Sequence, residues 1–387
     1  MEELGTKKRL CYSKTLFLVI AMVAANFTGC VQEKHVPQNV VEVSLSQTML
    51  DQPSMLPDWR DGEYHNYYAT AQKLNGFNES FPNLVDVFSI GKSVVGRDIW
   101  CIRITNEGSN DAKFSCLIDG CIHGCEWEAG EACLYVAEYL LINFERNATV
   151  THILNTTEVY IVPLVNPDGR ENDVRWNDNG VDLNRNFDVD FGRLRGHVLP
   201  LGKLFGKIKI PVLRFPLLGL WFTNCGRHPF SQPETQAIRN LMETLDHRNL
   251  SFYVNCHTAM HVVITPWNAF KPPFELTSRE KNLFSHVKRW VTENTEYESK
   301  PLSYYASGTA IDWCFKKHRV PSFTFEILSR DYEPGSGGGK HDHLVHWMKT
   351  TLPFFLYLLV NVDNLHDWEI PGRQPSLPEG IPPPPLQ

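Results

Sequence analysis

No Cys-x-x-C pair occurs in this sequence, which excludes a cysteine zinc knuckle. Ten cysteines in 387 residues are too few, and too irregularly spaced, for a disulfide framework. Neither sign of charge is in large excess. The net charge of -7 is mildly acidic and argues against nucleic acid as the main partner. There is no internal repeat. No apolar run is long enough for a membrane-spanning helix, which needs about 20 residues. Both candidates, "TLFLVIAMVAA" and "LPFFLYLLV", fall short. What is present is a chain 42% hydrophobic, enough for one large core or two modest domains.

The first apolar run follows Lys7, Lys8, Arg9 and Lys14, the basic and hydrophobic regions of a targeting segment. "NFTGC" comes next and ends at Cys30. Its small-small-Cys arrangement is similar to a prokaryotic lipoprotein signal; an ordinary cleaved signal peptide is the other reading. Both predict a signal over 1–30 and an exported, extracellular or cell-surface protein. A lipidated Cys30 would associate the protein with a membrane. Asn78, Asn147, Asn155 and Asn249 lie in Asn-x-Ser/Thr sequons, compatible with export. Residues 31–58 read as a linker, 59–362 as one domain, and 363–387 as a Pro-rich tail. A linker that short leaves no room for a folded inhibitory domain.

Within 59–362, strand and helix patterns alternate. "LVDVFSI", "RDIWCIRI", "FSCLIDG", "VYIVPLVN", "SFYVNCH" and "SFTFEIL" read as strands. "YHNYYATAQKL", "EWEAGEACLYVAEYLLINF" and "HLVHWMKTTLPFFLYLLVNV" read as helices, the last kinked near Pro353. "SQPETQAIRNLMETL" has Ser231 placed to cap and Pro233 in the first turn. "TSREKNLFSHVKRWV" opens with a capping box, Thr277 to Glu280. This alternation predicts an α/β fold: a mixed, mostly parallel twisted sheet with helices on both faces, in a single domain. Ligands of such sheets bind beyond the carboxyl ends of the strands. His123 and Asn166 each follow a strand, and His257 ends one.

His123 and Glu126 in "IDGCIHGCEWEAGE" are three apart and could reach one cation from one helical turn. Spacing alone cannot decide. With 15 histidines, one His-x-x-Glu is expected by chance, and His366 with Glu369 supplies a decoy. The company is what decides. "NPDG", "GVDLNRNF", "SQPET", "ASGTAIDW" and "FTFEI" occur in that order. Together they resemble the zinc metallocarboxypeptidases, the family of pancreatic carboxypeptidase A, over about residues 62 to 361.

The resemblance implies a catalytic domain over 59–362 holding one Zn2+ ion, with His123, Glu126 and His257 as ligands. It implies Asp182 behind the first histidine, Glu326 as general base and Arg175 as oxyanion stabiliser. Arg170 is the competing assignment for that last role. Asn184 and Arg185 match the pair that binds the substrate α-carboxylate; Arg suits this because its planar fork reaches both oxygens. Tyr304 matches the tyrosine that closes over the C-terminal residue, with Tyr305 as its rival. Ile311 matches the base of the specificity pocket, with Ile264 adding wall. An apolar base implies an apolar or aromatic C-terminal residue, because a buried unpaired cation would be costly. The expected partner is a peptide or protein with a free C-terminus, and the expected state is a monomer.

Several features depart from the family pattern. Cys125 stands between the first two ligands, where some members carry an arginine. Cys125 and Cys256 each flank a ligand and are read as buried free thiols rather than metal donors. An insertion at about 192–228 is basic and apolar; between "GRLRG" and "RHP" it has no acidic residue. It reads as a packed insertion beside the site or as a membrane-contacting loop. His341, His343 and His346 form either a second metal site or a polar helix start. Two rival functions remain: a cell-wall peptide hydrolase on the same scaffold, and a non-catalytic zinc-binding module.

Overall fold

The computed structural model describes residues 54–192, 198–200, 212–215, 220–299, 305–327 and 343–367, with 198–200, 212–215 and 220–222 as backbone. Every described residue belongs to one compact unit within Leu45–Gln387. In order, the elements are α1 (Tyr67–Ser80), β1 (Val85–Lys92), β2 (Asp98–Ile104), β3 (Phe114–Asp119), α2 (Trp127–Asn143), α3 (Ala148–Thr156), β4 (Thr157–Val162) and α4 (Pro167–Glu171). A 3-10 turn (Leu183–Arg185) follows, then β5 (Val198–Pro200), β6 (Val212–Phe215), β7 (Leu220–Thr223), α5 (Pro233–Asp246), β8 (Leu250–His257) and β9 (Val262–Ile264). The last are α6 (Ser278–Asn294), α7 (Ala310–His318), β10 (Ser322–Glu326), α8 (Leu344–Val360) and α9 (Val362–Asp367).

Seven strands form one mixed sheet in the order β1-β2-β4-β3-β8-β10-β9. Its centre, β4-β3-β8-β10, is parallel throughout. β1 points the same way at one edge, while β2 and β9 run against the rest. Period-two alternation sends side chains to two cores. Cys116, Ile118, Val254 and Phe325 face the layer of α1, α2, α3, α6 and α8. Leu117, Tyr160 and Tyr253 face the layer of α5 and α7. Helix α2 is apolar around most of its circumference because it is covered twice. The sheet and α8 pack on it, and the leading segment is tied to it by Trp59 Nε1 to Glu138 Oε2 (2.8 Å) and Tyr64 OH to Glu128 Oε1 (2.8 Å).

The capping box forms as expected: Thr277 accepts from Glu280 N, and Glu280 accepts from Thr277 N. Ser231 does not cap α5; Gln232 holds that position. Ser231 Oγ instead accepts from Asn186 Nδ2 at 2.9 Å, a competing bond that short hydroxyls readily make. Helix α8 continues through Pro353. No described helix is long and apolar enough to cross a membrane. Asn147 is buried as the cap of α3, accepting from Val150 N, so that sequon is closed.

Part of the insertion forms a second, three-stranded sheet, β5-β7-β6. Its end runs beside the site: Asp182 N donates to Asn224 O at 2.8 Å and Thr223 Oγ1 to Asp182 Oδ2 at 3.2 Å.

Candidate active site

The carboxyl ends of the parallel strands meet at one cavity of about 120 Å3. His123 lies on the loop after β3, and Glu126 is the residue before α2. That loop passes very close to α4. A Cβ on Gly124 would run into the backbone of Gly169 and Arg170, so only glycine fits there. His257 ends β8, and Glu326 ends β10 in register beside it. The two side chains therefore share one face of the sheet.

His123, Glu126 and His257 are all buried, and their donor atoms lie within 4.8 Å of one another. Glu126 Oε1 is 2.7 Å from His123 Nδ1, and Oε2 is 2.8 Å from His257 Nδ1. Behind the rings, His123 Nε2 lies 3.1 Å from Asp182 Oδ1 and His257 Nε2 lies 2.5 Å from Asn255 Oδ1. Asn255 is itself oriented, because its Nδ2 donates to Asp119 Oδ1 at 2.5 Å. Tyr253 OH donates to the other Asp119 oxygen at 2.8 Å. The acceptors behind both rings can take a proton from Nε2, which would leave each Nδ1 to turn a lone pair toward a cation. The two Nδ1 atoms are 3.1 Å apart beside a carboxylate. Two lone pairs and a carboxylate at such range repel without a cation between them. Two nitrogens and one oxygen make a three-ligand set of the kind that binds zinc with a position left open.

Burial would raise the Glu126 carboxyl, but positive charge on the facing His123 and His257 rings outweighs it and holds the group below the carboxylate range, as a cation in the same place would. Burial would raise Asp182 as well; Arg175, His123 and Arg185 hold it well below its usual value. Asp119 is pushed up to about 7 by burial, against the pull of Asn255 and Tyr253. The Cys125 thiol is pushed up to about 12, chiefly by burial.

Arg175 lines the cavity, with Nε on Asp182 Oδ2 at 2.9 Å and Nη1 on Glu126 Oε1 at 3.3 Å. Arg170 is elsewhere, stacked 3.8 Å over Trp127 and donating to His65 O at 2.9 Å. Asn184 and Arg185 also line the cavity. Asn184 Oδ1 accepts from Ala310 N at 2.9 Å, and its Nδ2 lies 3.1 Å from His257 Nε2. Arg185 Nη1 donates to Asn184 O at 2.7 Å, while its buried Nε meets no protein acceptor. Gly308, at φ +70°, lets its loop lie against the Arg185 backbone where a side chain would collide.

One expected residue is misplaced by sequence reasoning. Ile311 is fully buried in the α5 and α7 layer and does not line the cavity. Helix α7 turns it inward to fill the core, leaving Ile264, Asn268, Ala306, Thr309 and Thr324 on the wall. Tyr304 lies outside the described residues, as do Cys30 and His341. Tyr305 is half exposed and stacks edge-on with Phe270 at 4.9 Å. Cys256 points into the opposite layer, where its thiol interacts with that of Cys133. The decoy His366 packs on Phe114, the residue that opens β3, at the other end of that strand from His123. His346 is 3.4 Å from Glu296. Among the described residues, His123, Glu126 and His257 are the only such donor group. Asn255 and Asp119 were missed, although period two placed Asn255 on the face of His257.

The sequence profile of the zinc carboxypeptidase family matches residues 70–207 and 219–335, well over half of the chain. The chain belongs to the zinc carboxypeptidase family. Among curated proteins, it is 25% identical over 294 residues to a zinc carboxypeptidase of Saccharothrix mutabilis subsp. capreolus, covering 70% of this chain and 63% of that protein. It is 24% identical over 324 residues to carboxypeptidase A6 of Mus musculus, covering 76% and 69%. Among solved structures, the carboxypeptidase A of Helicoverpa armigera shares the fold with a TM-score of 0.60 at 22% identity, covering 79% of this chain and 74% of that one.

Proposed function

We propose that this protein is a zinc-dependent metallocarboxypeptidase that releases single residues from the C-terminus of peptides or proteins. One observation carries the reading: a cation-binding donor set shares its cavity with Arg185, whose buried Nε meets no protein acceptor. A carboxylate beside Arg185 would satisfy that donor and set the adjoining peptide bond near the cation. Selection of a free carboxylate is what separates an exopeptidase from an endopeptidase. Export, with or without lipid on Cys30, rests on the N-terminal pattern alone.

His123, Glu126 and His257 would hold the zinc. Once bound, zinc supplies Lewis-acid polarisation of the scissile carbonyl and makes water acidic enough to react near neutral pH. Glu326 takes a proton from the attacking water and delivers it to the leaving amine as the C–N bond breaks. Arg175 donates to the carbonyl oxygen as charge builds there. Asn184 and Arg185 hold the terminal carboxylate. Asp182 and Asn255 keep both imidazoles turned the right way. Closure by Tyr304 is carried over from the family resemblance. The uncharged wall around Ile264 and Ala306 supports a neutral C-terminal side chain.

The test is residue release from blocked peptides with free or amidated C-termini, with and without chelator, using Glu326→Gln as control. Release from the free acid only is expected, abolished by chelator and lowered about 10²- to 10⁴-fold in the variant. Equal cleavage of both peptides would point to an endopeptidase. Cleavage of muropeptides alone would favour a cell-wall hydrolase. Failure on every substrate by folded, zinc-loaded protein would leave a binding module.

A further inference from the structure

Asn268 lies in the loop after β9, and its backbone is fully committed. Its N–H donates to Asp312 Oδ2 and Oδ1 at 2.9 and 3.1 Å, and its carbonyl accepts from Ala306 N at 2.8 Å. Ala269 N adds a bond to the same Asp312 oxygen at 2.8 Å. The side chain is therefore held at the cavity wall by a rigid frame rather than by bonds of its own. It is only 4% exposed, and its Oδ1 is sealed from solvent without a protein partner.

A buried amide left unmet is costly, so such groups mark places where something else binds. The neighbours narrow what that can be. Ile264, Ala306, Thr309 and Thr324 bring no charge to this wall. Asp312 stands behind it with both oxygens occupied by backbone N–H groups. Among the described residues of this wall, a lysine or arginine side chain would find no free counter-charge, and a purely apolar one would leave the amide unsatisfied. A carboxamide meets both needs, since it carries a donor and an acceptor and no charge.

We propose that the side-chain pocket recognises a C-terminal asparagine or glutamine through amide-to-amide hydrogen bonds with Asn268. This rests on the carboxypeptidase reading above and names its substrate class. The experiment compares kcat/KM for blocked peptides ending in Asn against Leu, and in Gln against Met, pairs of similar size. A peptide ending in Lys completes the set. The amide member of at least one pair should be favoured about tenfold or more. In Asn268→Leu that ratio should fall to one or below. Each ratio is internal to one protein, so a partly folded variant still reports; Asn268→Ala serves should leucine pack poorly. Equal or better cleavage of Leu and Met by the natural protein would overturn the assignment. So would an amide preference that survives in both variants, or a preference for Lys. Absence of cleavage on all five peptides would overturn the carboxypeptidase reading itself, and the pocket assignment with it.

Discussion

The two ends of the cavity are built differently. At the metal end, both imidazoles are backed: His123 by Asp182 and His257 by Asn255, which is held in turn by Asp119, and Asp119 by Tyr253. At the binding end, Arg185 Nε and Asn268 Oδ1 are buried with no protein partner. Groups that must hold their position through a reaction are oriented in advance. Groups that must recognise a ligand are left unsatisfied until it arrives, which makes the wrong ligand expensive.

Three perturbations probe this contrast. The largest effect is expected from Arg185→Met, which empties the binding end of its cation. Losing a charge-assisted bond should cut kcat/KM for free-acid peptides about 30-fold or more. Zinc affinity, measured by chelator competition, should stay near that of the natural protein. If zinc binding falls equally, the two ends are not separable.

Asn255→Leu should do the converse. Removing the acceptor behind His257 should weaken zinc binding about 10- to 100-fold. With zinc in excess, the preference for free acid over amide should be retained. Unchanged zinc affinity would mean the Asp119–Asn255 chain serves packing alone.

The smallest effect is on stability. Burial pushes the Asp312 carboxyl up to about 7. A raised carboxyl binds its proton more tightly in the folded state, so its contribution is full below the unfolded value, near 4, and is lost as pH rises toward 7. Asp312→Asn keeps an acceptor for the Asn268 and Ala269 amides. The variant should therefore gain on the natural protein by up to a few kcal/mol between pH 4 and 7 in urea titrations. A constant difference across that range would show that Asp312 does not titrate there.

The sequence alone was enough for much of this. The alternation of β8 and β10 was plain in "SFYVNCH" and "SFTFEIL" because one residue in two is apolar and packs on a helix layer. The capping box at Thr277 is local chemistry and needed no partner. The ligand set was legible only in company, since His366 carries the same spacing and lies at the far end of β3. Ser231 misled because its hydroxyl was claimed by Asn186, 45 residues away in the chain.

What the sequence determined by itself was the α/β architecture and the residues at the strand ends, because period and strand termini are local properties. What only the tertiary structure decided was which side chains face the cavity. It chose Arg175 over Arg170 because the latter stacks on Trp127. It drew Ile311 into the core and left Asn268 on the wall. Both outcomes depend on which layer each loop and helix packs against, and that depends on contacts between segments far apart in the chain.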